Sequence, residues 1–281
     1  MYTTLISTSE LTSHIADPAW IVVDVRHDLS QPERWGEEQY RAGHIPAALF
    51  AHLDRDLSGA KTGRNGRHPL PTSEAAATTF ARLGIEEGRQ VVAYDQRNGA
   101  YASRLWWMLR WLGHDAVAVL DGGFEAWQRA GLPLATDAPA PRSARFAIRR
   151  VEPTVDTGDV VAALATGALT LIDARGAERY RGDVEPLDPV AGHIPGAVSR
   201  PFTVNLDADG QFRPAAALRE EFVPLMAGRP LDRIVHQCGS GVTACHNLLA
   251  MEIAGLSGTR LYPGSWSEWC ADPARPIATG A

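Results

Sequence analysis

The sequence predicts an α/β protein built as two tandem copies of one domain, each a mostly parallel sheet flanked by helices. Two observations carry this. The chain repeats itself once: Val22-Val23-Asp24-Val25-Arg26 matches Leu171-Ile172-Asp173-Ala174-Arg175, and Gly43-His44-Ile45-Pro46 matches Gly192-His193-Ile194-Pro195. Further on, Val91-Val92-Ala93-Tyr94-Asp95 matches Ile234-Val235-His236-Gln237-Cys238, and the stretch from Asp121 to Trp127 matches that from Pro263 to Trp269. Within each copy, short β-branched runs alternate with helical patterns, as expected for parallel strands joined by crossover helices. The expected domains are residues 1–138 and 153–281, with a linker over 139–152. Pro139 and Pro141 disfavour helix in that linker.

The elements follow in order. Ser7-x-x-Glu10 predicts a capping box that opens a first helix. The run from Trp20 to Val25 predicts a strand, as do Val91 to Tyr94 and Val117 to Leu120. Tyr101 to Trp111 is apolar on most faces and predicts a buried helix. In the second copy the matching strands are Thr170 to Asp173, Ile234 to Gln237 and Arg260 to Tyr262, with a helix over Cys245 to Ala254.

Composition narrows the function classes. The 281 residues are 45% apolar and 21% charged, an ordinary globular balance. No apolar run approaches the roughly 18 residues of a membrane span, and the N-terminus lacks a basic segment followed by an apolar one, so no secretory signal is expected. The net charge of −6 gives no general pull toward nucleic acid or anionic membrane. The three cysteines, Cys238, Cys245 and Cys270, are odd in number and lack metal-type spacing, which argues against a disulfide framework and a zinc site. A cytoplasmic, reducing location is expected, with no metal and no cofactor.

Cys238 is the candidate catalytic residue. It stands where a strand ends, on the loop Gly239-Ser240-Gly241-Val242-Thr243-Ala244 that opens a helix. Backbone N–H groups and the positive end of a helix dipole meet there, which favours a thiolate and a negatively charged adduct. Small residues let the backbone curl around the sulfur, and the hydroxyls of Ser240 and Thr243 are further candidate donors. The competing reading is a buried structural cysteine. Cys245 falls on the apolar side of the helix with Leu248, Leu249 and Ile253, where core packing explains it.

Two copies, an Asp-x-Arg strand end, a Gly-His-Ile-Pro turn and a strand–Cys–loop–helix together resemble the tandem-domain rhodanese family over essentially the whole chain. The resemblance implies two rhodanese-like domains, of which only the second is catalytic, since Asp95 stands where Cys238 would be. It implies sulfur transfer through a cysteine persulfide, from 3-mercaptopyruvate or thiosulfate, with a small anionic donor and a thiol or cyanide as acceptor, thioredoxin and glutathione included. The loop Cys-Gly-Ser-Gly-Val-Thr is similar to the 3-mercaptopyruvate branch. The thiosulfate branch carries basic-type positions where this chain has Gly239 and Ser240. The resemblance also implies that Arg179 binds the anionic end of the donor, a task suited to the planar fork of arginine. A second arginine is expected shortly after Glu185-Pro186, but Leu187 and Asp188 stand there, which leaves Arg181 as the candidate substitute. In the same way His44, from the first Gly-His-Ile-Pro turn, is a candidate proton handler with Ser240. His193 in the second copy argues instead for a shared structural role.

Two other functions compete. A cysteine on a backbone cradle also suits phosphate esters, but the arginine six residues after the cysteine that clamps phosphate is replaced by Ala244. A non-catalytic binding module is the remaining alternative, and it predicts that Cys238 is no more reactive than Cys245 or Cys270.

Overall fold

The computed structural model describes residues 1–139 and 144–281. Of the predicted linker, Pro141 lies outside the described residues. The chain divides into two compact units. Unit 1 holds residues 1–59, 71–152 and 208–212, and unit 2 holds 60–70, 153–207 and 213–281.

Unit 1 runs β1 (Leu5–Ile6), α1 (Thr8–Thr12), β2 (Trp20–Asp24), α2 (Trp35–Ala42), β3 (Leu49–Phe50), α3 (Leu53–Asp56), α4 (Ser73–Arg82), β4 (Gln90–Tyr94), α5 (Ala102–Trp111), β5 (Val117–Leu120) and α6 (Gly123–Arg129). Its strands form one parallel sheet in the order β1-β5-β4-β2-β3. Unit 2 runs α7 (Thr157–Thr166), β6 (Thr170–Asp173), α8 (Ala177–Arg181), β7 (Val198–Ser199), α9 (Ala215–Leu225), β8 (Ile234–Gln237), α10 (Ala244–Ile253), β9 (Arg260–Leu261) and α11 (Ser265–Trp269). Its parallel sheet has the order β7-β6-β8-β9, the unit 1 arrangement without β1. The predicted α/β architecture is what the chain adopts. Among the described residues, no helix is long and apolar enough to cross a membrane.

The local signals explain why these elements form. Ser7 caps α1, and Glu10 returns a hydrogen bond to the Ser7 N–H, the predicted capping box. Asp156 and Asp159 do the same at α7, which ends on Gly167 in the left-handed conformation. Strands β4 and β8 are buried along their whole length, as parallel strands covered on both faces must be. The short strands β1, β3 and β7 carry too few residues for a periodic pattern, so the sequence does not announce them.

The repeated motifs have a common structural purpose. Arg26 Nε donates to the Asp24 carboxylate, while its Nη2 donates to Gly43 O at 2.7 Å. Arg175 repeats this with Asp173 and with Gly192 O at 2.7 Å. Each pair is almost completely buried and ties a strand end to the following Gly-His-Ile-Pro turn. Removing one partner of such a pair leaves an uncompensated buried charge, a loss of about 3–5 kcal/mol.

Candidate active site

In unit 2 the chain passes from β6 outward to β7, then returns to the other side of β6 as β8. Strand order therefore reverses between β6 and β8, and the crevice beyond their carboxyl ends is where ligands bind in open α/β sheets. Asp173, the last residue of β6, is paired with Gln237, the last residue of β8. Cys238 follows immediately, and the Arg175–Arg179 segment leaves β6 beside it.

Cys238 is 2% exposed. Its Sγ accepts a hydrogen bond from the Ser240 N–H at 3.5 Å. Its backbone is braced on both sides: the Cys238 N–H donates to Ser265 Oγ at 3.1 Å, and Cys238 O accepts from the Trp266 N–H at 2.9 Å. Gly239 O accepts from the Ser267 N–H at 2.9 Å. Gly241 takes φ +76, and a Cβ there would lie 2.4 Å from Pro263 O, so only glycine permits this close passage. The loop ends at Ala244, the first residue of α10. Within this turn the Cys245 N–H donates to Val242 O at 3.0 Å and the His246 N–H to Thr243 O at 3.2 Å. Val242 and Ala244 are buried, and Thr243 makes no side-chain capping hydrogen bond.

Unit 1 holds the same loop in a closed form. Asp95 follows β4 as Cys238 follows β8. Its fully buried carboxylate accepts from the N–H groups of Arg97 at 3.2 Å, Gly99 at 3.0 Å, Tyr101 at 2.8 Å and Ala102 at 3.2 Å. Burial pushes the Asp95 carboxyl up, while the four N–H groups pull it back. The bracing repeats too, with the Phe124 N–H on Asp95 O and the Glu125 N–H on Gln96 O, both at 2.9 Å. A loop between a central strand and the following helix is thus an anion cradle in this fold, and in unit 1 the anion is built in.

The imidazole hydrogen bonded to Ser240 belongs to His68, whose Nδ1 lies 2.8 Å from Ser240 Oγ. His44 is occupied differently. Its Nδ1–H donates to Tyr40 O at 2.7 Å, its ring stacks on Tyr40, and its backbone pairs with Ala135. His193 repeats each contact with Tyr180 and Ala278. One turn role therefore accounts for both histidines. His68 escapes sequence reasoning because its segment has no repeat partner of the same chemistry. Its only signal is a basic pair, Arg67-His68, before Pro69-Leu70-Pro71 in a glycine-rich stretch.

Arg179, on α8, donates through Nε and Nη2 to Glu185 and through Nη2 to Asp188 Oδ2 at 3.1 Å. Burial works against ionising Glu185. Hydrogen bonds from Arg179 and from the Leu187 and Asp188 N–H groups outweigh it and hold the carboxyl below the usual range. Arg181 points elsewhere, to an exposed pair with Asp183. Arg67, which the sequence does not single out, pairs with Asp188. Cys245 donates from Sγ to Gly241 O at 3.3 Å inside the core. Burial, with Asp188 nearby, pushes the Cys270 thiol up to about 11, which makes it a poor nucleophile.

The model of the rhodanese-like domain matches residues 7–130 and 156–272 of this chain. The chain is 46% identical over 282 residues to the probable 3-mercaptopyruvate sulfurtransferase of Pseudomonas aeruginosa, covering 98% of each protein. It is 39% identical to the putative thiosulfate sulfurtransferase SseB of Mycobacterium tuberculosis, over 98% of this chain and 97% of that one. Among solved structures, it is similar to the 3-mercaptopyruvate sulfurtransferase SseA of Escherichia coli, with a TM-score of 0.81 at 33% identity, covering 94% of this chain and 99% of that one.

Proposed function

The chain belongs to the rhodanese-like domain family, and from that premise we propose that it is a sulfurtransferase that carries sulfur as a persulfide on Cys238. The observation that carries the reading is the position of this sulfur, buried at the carboxyl end of β8 and held by the Ser240 N–H. Asp95 supports it from within the same chain, because a carboxylate with four N–H donors marks what the equivalent loop is shaped to hold. In unit 2 the outer sulfur of the persulfide takes the place of that built-in anion, with N–H groups between Ser240 and Ala244 as its donors. Catalysis then resides in the C-terminal domain, 153–281 in the sequence repeat, with the N-terminal domain non-catalytic.

The favoured donor is 3-mercaptopyruvate. The Cys238 thiolate attacks the donor sulfur, the C–S bond breaks, and its electron pair leaves as the enolate of pyruvate. The Ser240–His68 pair is the proton route to that enolate. A second thiolate, or cyanide, then attacks the outer sulfur, the S–S bond breaks, and the Cys238 thiolate returns. Thioredoxin and glutathione fit as acceptors, and a reducing cytoplasm suits three free cysteines. Thiosulfate is the second reading, favoured by the SseB relative and by Leu187 at the position expected for an arginine. Phosphate-ester hydrolysis is disfavoured, because the buried methyl of Ala244 replaces the clamp such chemistry needs.

Steady-state kinetics test the proposal. Transfer from 3-mercaptopyruvate to a thiol is expected to show ping-pong behaviour, with a higher kcat/KM than thiosulfate, and Cys238→Ser is expected to be inactive. Sulfur transfer by the serine variant, or robust aryl phosphate hydrolysis that needs Cys238, contradicts the reading.

A further inference from the structure

Two guanidinium groups stand over Gly239, the residue that follows Cys238. A Cβ at Gly239 would lie 2.8 Å from Arg67 Nη2, 3.4 Å from Arg179 Nη1 and 3.5 Å from Arg179 Nη2. The missing side chain therefore lets two cations come into close contact with the backbone beside Cys238. Both cations are held by buried acids. Arg67 Nη1 donates to Asp188 Oδ1, Arg179 Nη2 donates to Asp188 Oδ2, and Arg179 also grips Glu185. The side chains of Asp188 and Glu185 are 2% and 4% exposed. The backbone of Arg67 is fixed to the same loop, since its N–H donates to Ser267 Oγ at 3.0 Å, and the Ser267 N–H donates to Gly239 O. Among the described residues, no hydrogen bond uses Arg67 Nη2 or Arg179 Nη1.

We propose that Arg67 is a specificity-determining residue that, together with Arg179, grips the anionic end of the sulfur donor, and that Asp188 is the positioning residue that sets the two forks. The proposal rests on the sulfurtransferase reading and accounts for the departure at position 187. Leu187 is 41% exposed and supplies only its N–H to Glu185, so the loop after Pro186 brings no cation of its own. Asp188, one residue on, instead recruits a cation from the 60–70 segment. One unengaged amino group from each fork can donate to a carboxylate, and the oxyanion end of thiosulfate shares that chemistry. Because the forks are neutralised by two acids, recognition comes from directed N–H groups rather than from net positive charge. Gly239 belongs to the device: a side chain there would collide with Arg67 and displace the forks.

Alkylation of Cys238, read by peptide mass, tests the clamp without requiring sulfur transfer. Iodoacetate carries a carboxylate and iodoacetamide does not. Losing one charge-assisted hydrogen bond is expected to lower the iodoacetate-to-iodoacetamide rate ratio about ten- to a hundredfold in Arg67→Gln. Arg67→Lys is expected to keep part of the preference, and Asp188→Asn is expected to lower it by less than Arg67→Gln. In turnover, Arg67→Gln is expected to raise KM more than it lowers kcat, and the donor whose KM rises more, 3-mercaptopyruvate or thiosulfate, is the one the clamp selects. On the wild-type protein, pyruvate is expected to protect Cys238 from iodoacetamide while its methyl ester does not. An unchanged rate ratio in folded Arg67→Gln, or equal protection by pyruvate and its ester, overturns the proposal. A wild-type protein that shows the alkylation preference yet transfers no sulfur from either donor overturns the sulfurtransferase reading alone.

Discussion

At Ser265 the backbone takes φ +56, a left-handed conformation that costs a residue with a Cβ about 1–2 kcal/mol. The repeat places Gly123 at the same point of unit 1, with φ +58 and no such cost. The serine is explained by its Oγ, which accepts from the Cys238 N–H at 3.1 Å and donates to Tyr262 O at 2.9 Å. It trades local strain for a fixed Cys238 backbone. Ser265→Ala keeps the strain and orphans the buried Cys238 N–H, so it is expected to destabilise the protein by about 2 kcal/mol. Ser265→Gly loses the same hydrogen bonds but relieves the strain, and is expected to recover about 1 kcal/mol of that loss. Urea unfolding of the two variants checks this, and equal stability of both with the wild type contradicts it. The residue scale is also where the sequence is least complete. Cys238, Ser240 and Arg179 are legible because chain neighbours create their setting. Arg67 and His68 are not, because their meaning comes from Asp188 and Ser240, more than a hundred residues away.

Strand β8 carries the cysteine loop and also a histidine buried without charge. His236 is fully buried, with Nε2 lying 3.0 Å from Met251 Sδ, and burial pushes its pKa down to about 3. In the unfolded chain it titrates at its ordinary value near 6.5. Between these limits the unfolded state binds a proton that the folded state refuses, so stability falls as pH drops below about 6.5 and rises again toward neutrality. The slope from this one group is half of about 1.4 kcal/mol per pH unit at pH 6.5 and approaches that full value well below it. His236→Leu is expected to lose about 1 kcal/mol less than the wild type between pH 6.5 and 5.5, read from urea midpoints at the two pH values. Identical pH slopes contradict the assignment. Element by element, the strands and helices that carry a pattern, such as β4, β8 and α5, lie where their apolar runs indicate. The two-residue strands β1, β3 and β7 are set by neighbours in the sheet rather than by local sequence.

The whole molecule is one fold used twice with opposite contents. Both copies keep the buried Asp-x-Arg pair, the Gly-His-Ile-Pro turn and the bracing of the strand-end loop by the following helix. The repeat was readable because these are packing constraints that a fold of this kind imposes on every copy. The difference between copies was readable as well, since Asp95 and Cys238 occupy matched positions. Only the structure shows that Asp95 already satisfies its cradle, with four backbone N–H groups on its carboxylate. The exchange of short segments, with 60–70 packing in unit 2 and 208–212 in unit 1, has no local signature and follows from tertiary packing alone. The central claim is that each chain carries a single transferable sulfur, and that it sits on the second copy. Intact-mass analysis after incubation with 3-mercaptopyruvate or thiosulfate, followed by peptide mapping, measures this directly. The account predicts a gain of one sulfur atom per chain, located on Cys238 and discharged by a thiol acceptor. No gain with either donor, or a sulfur located on Cys245 or Cys270, would contradict it.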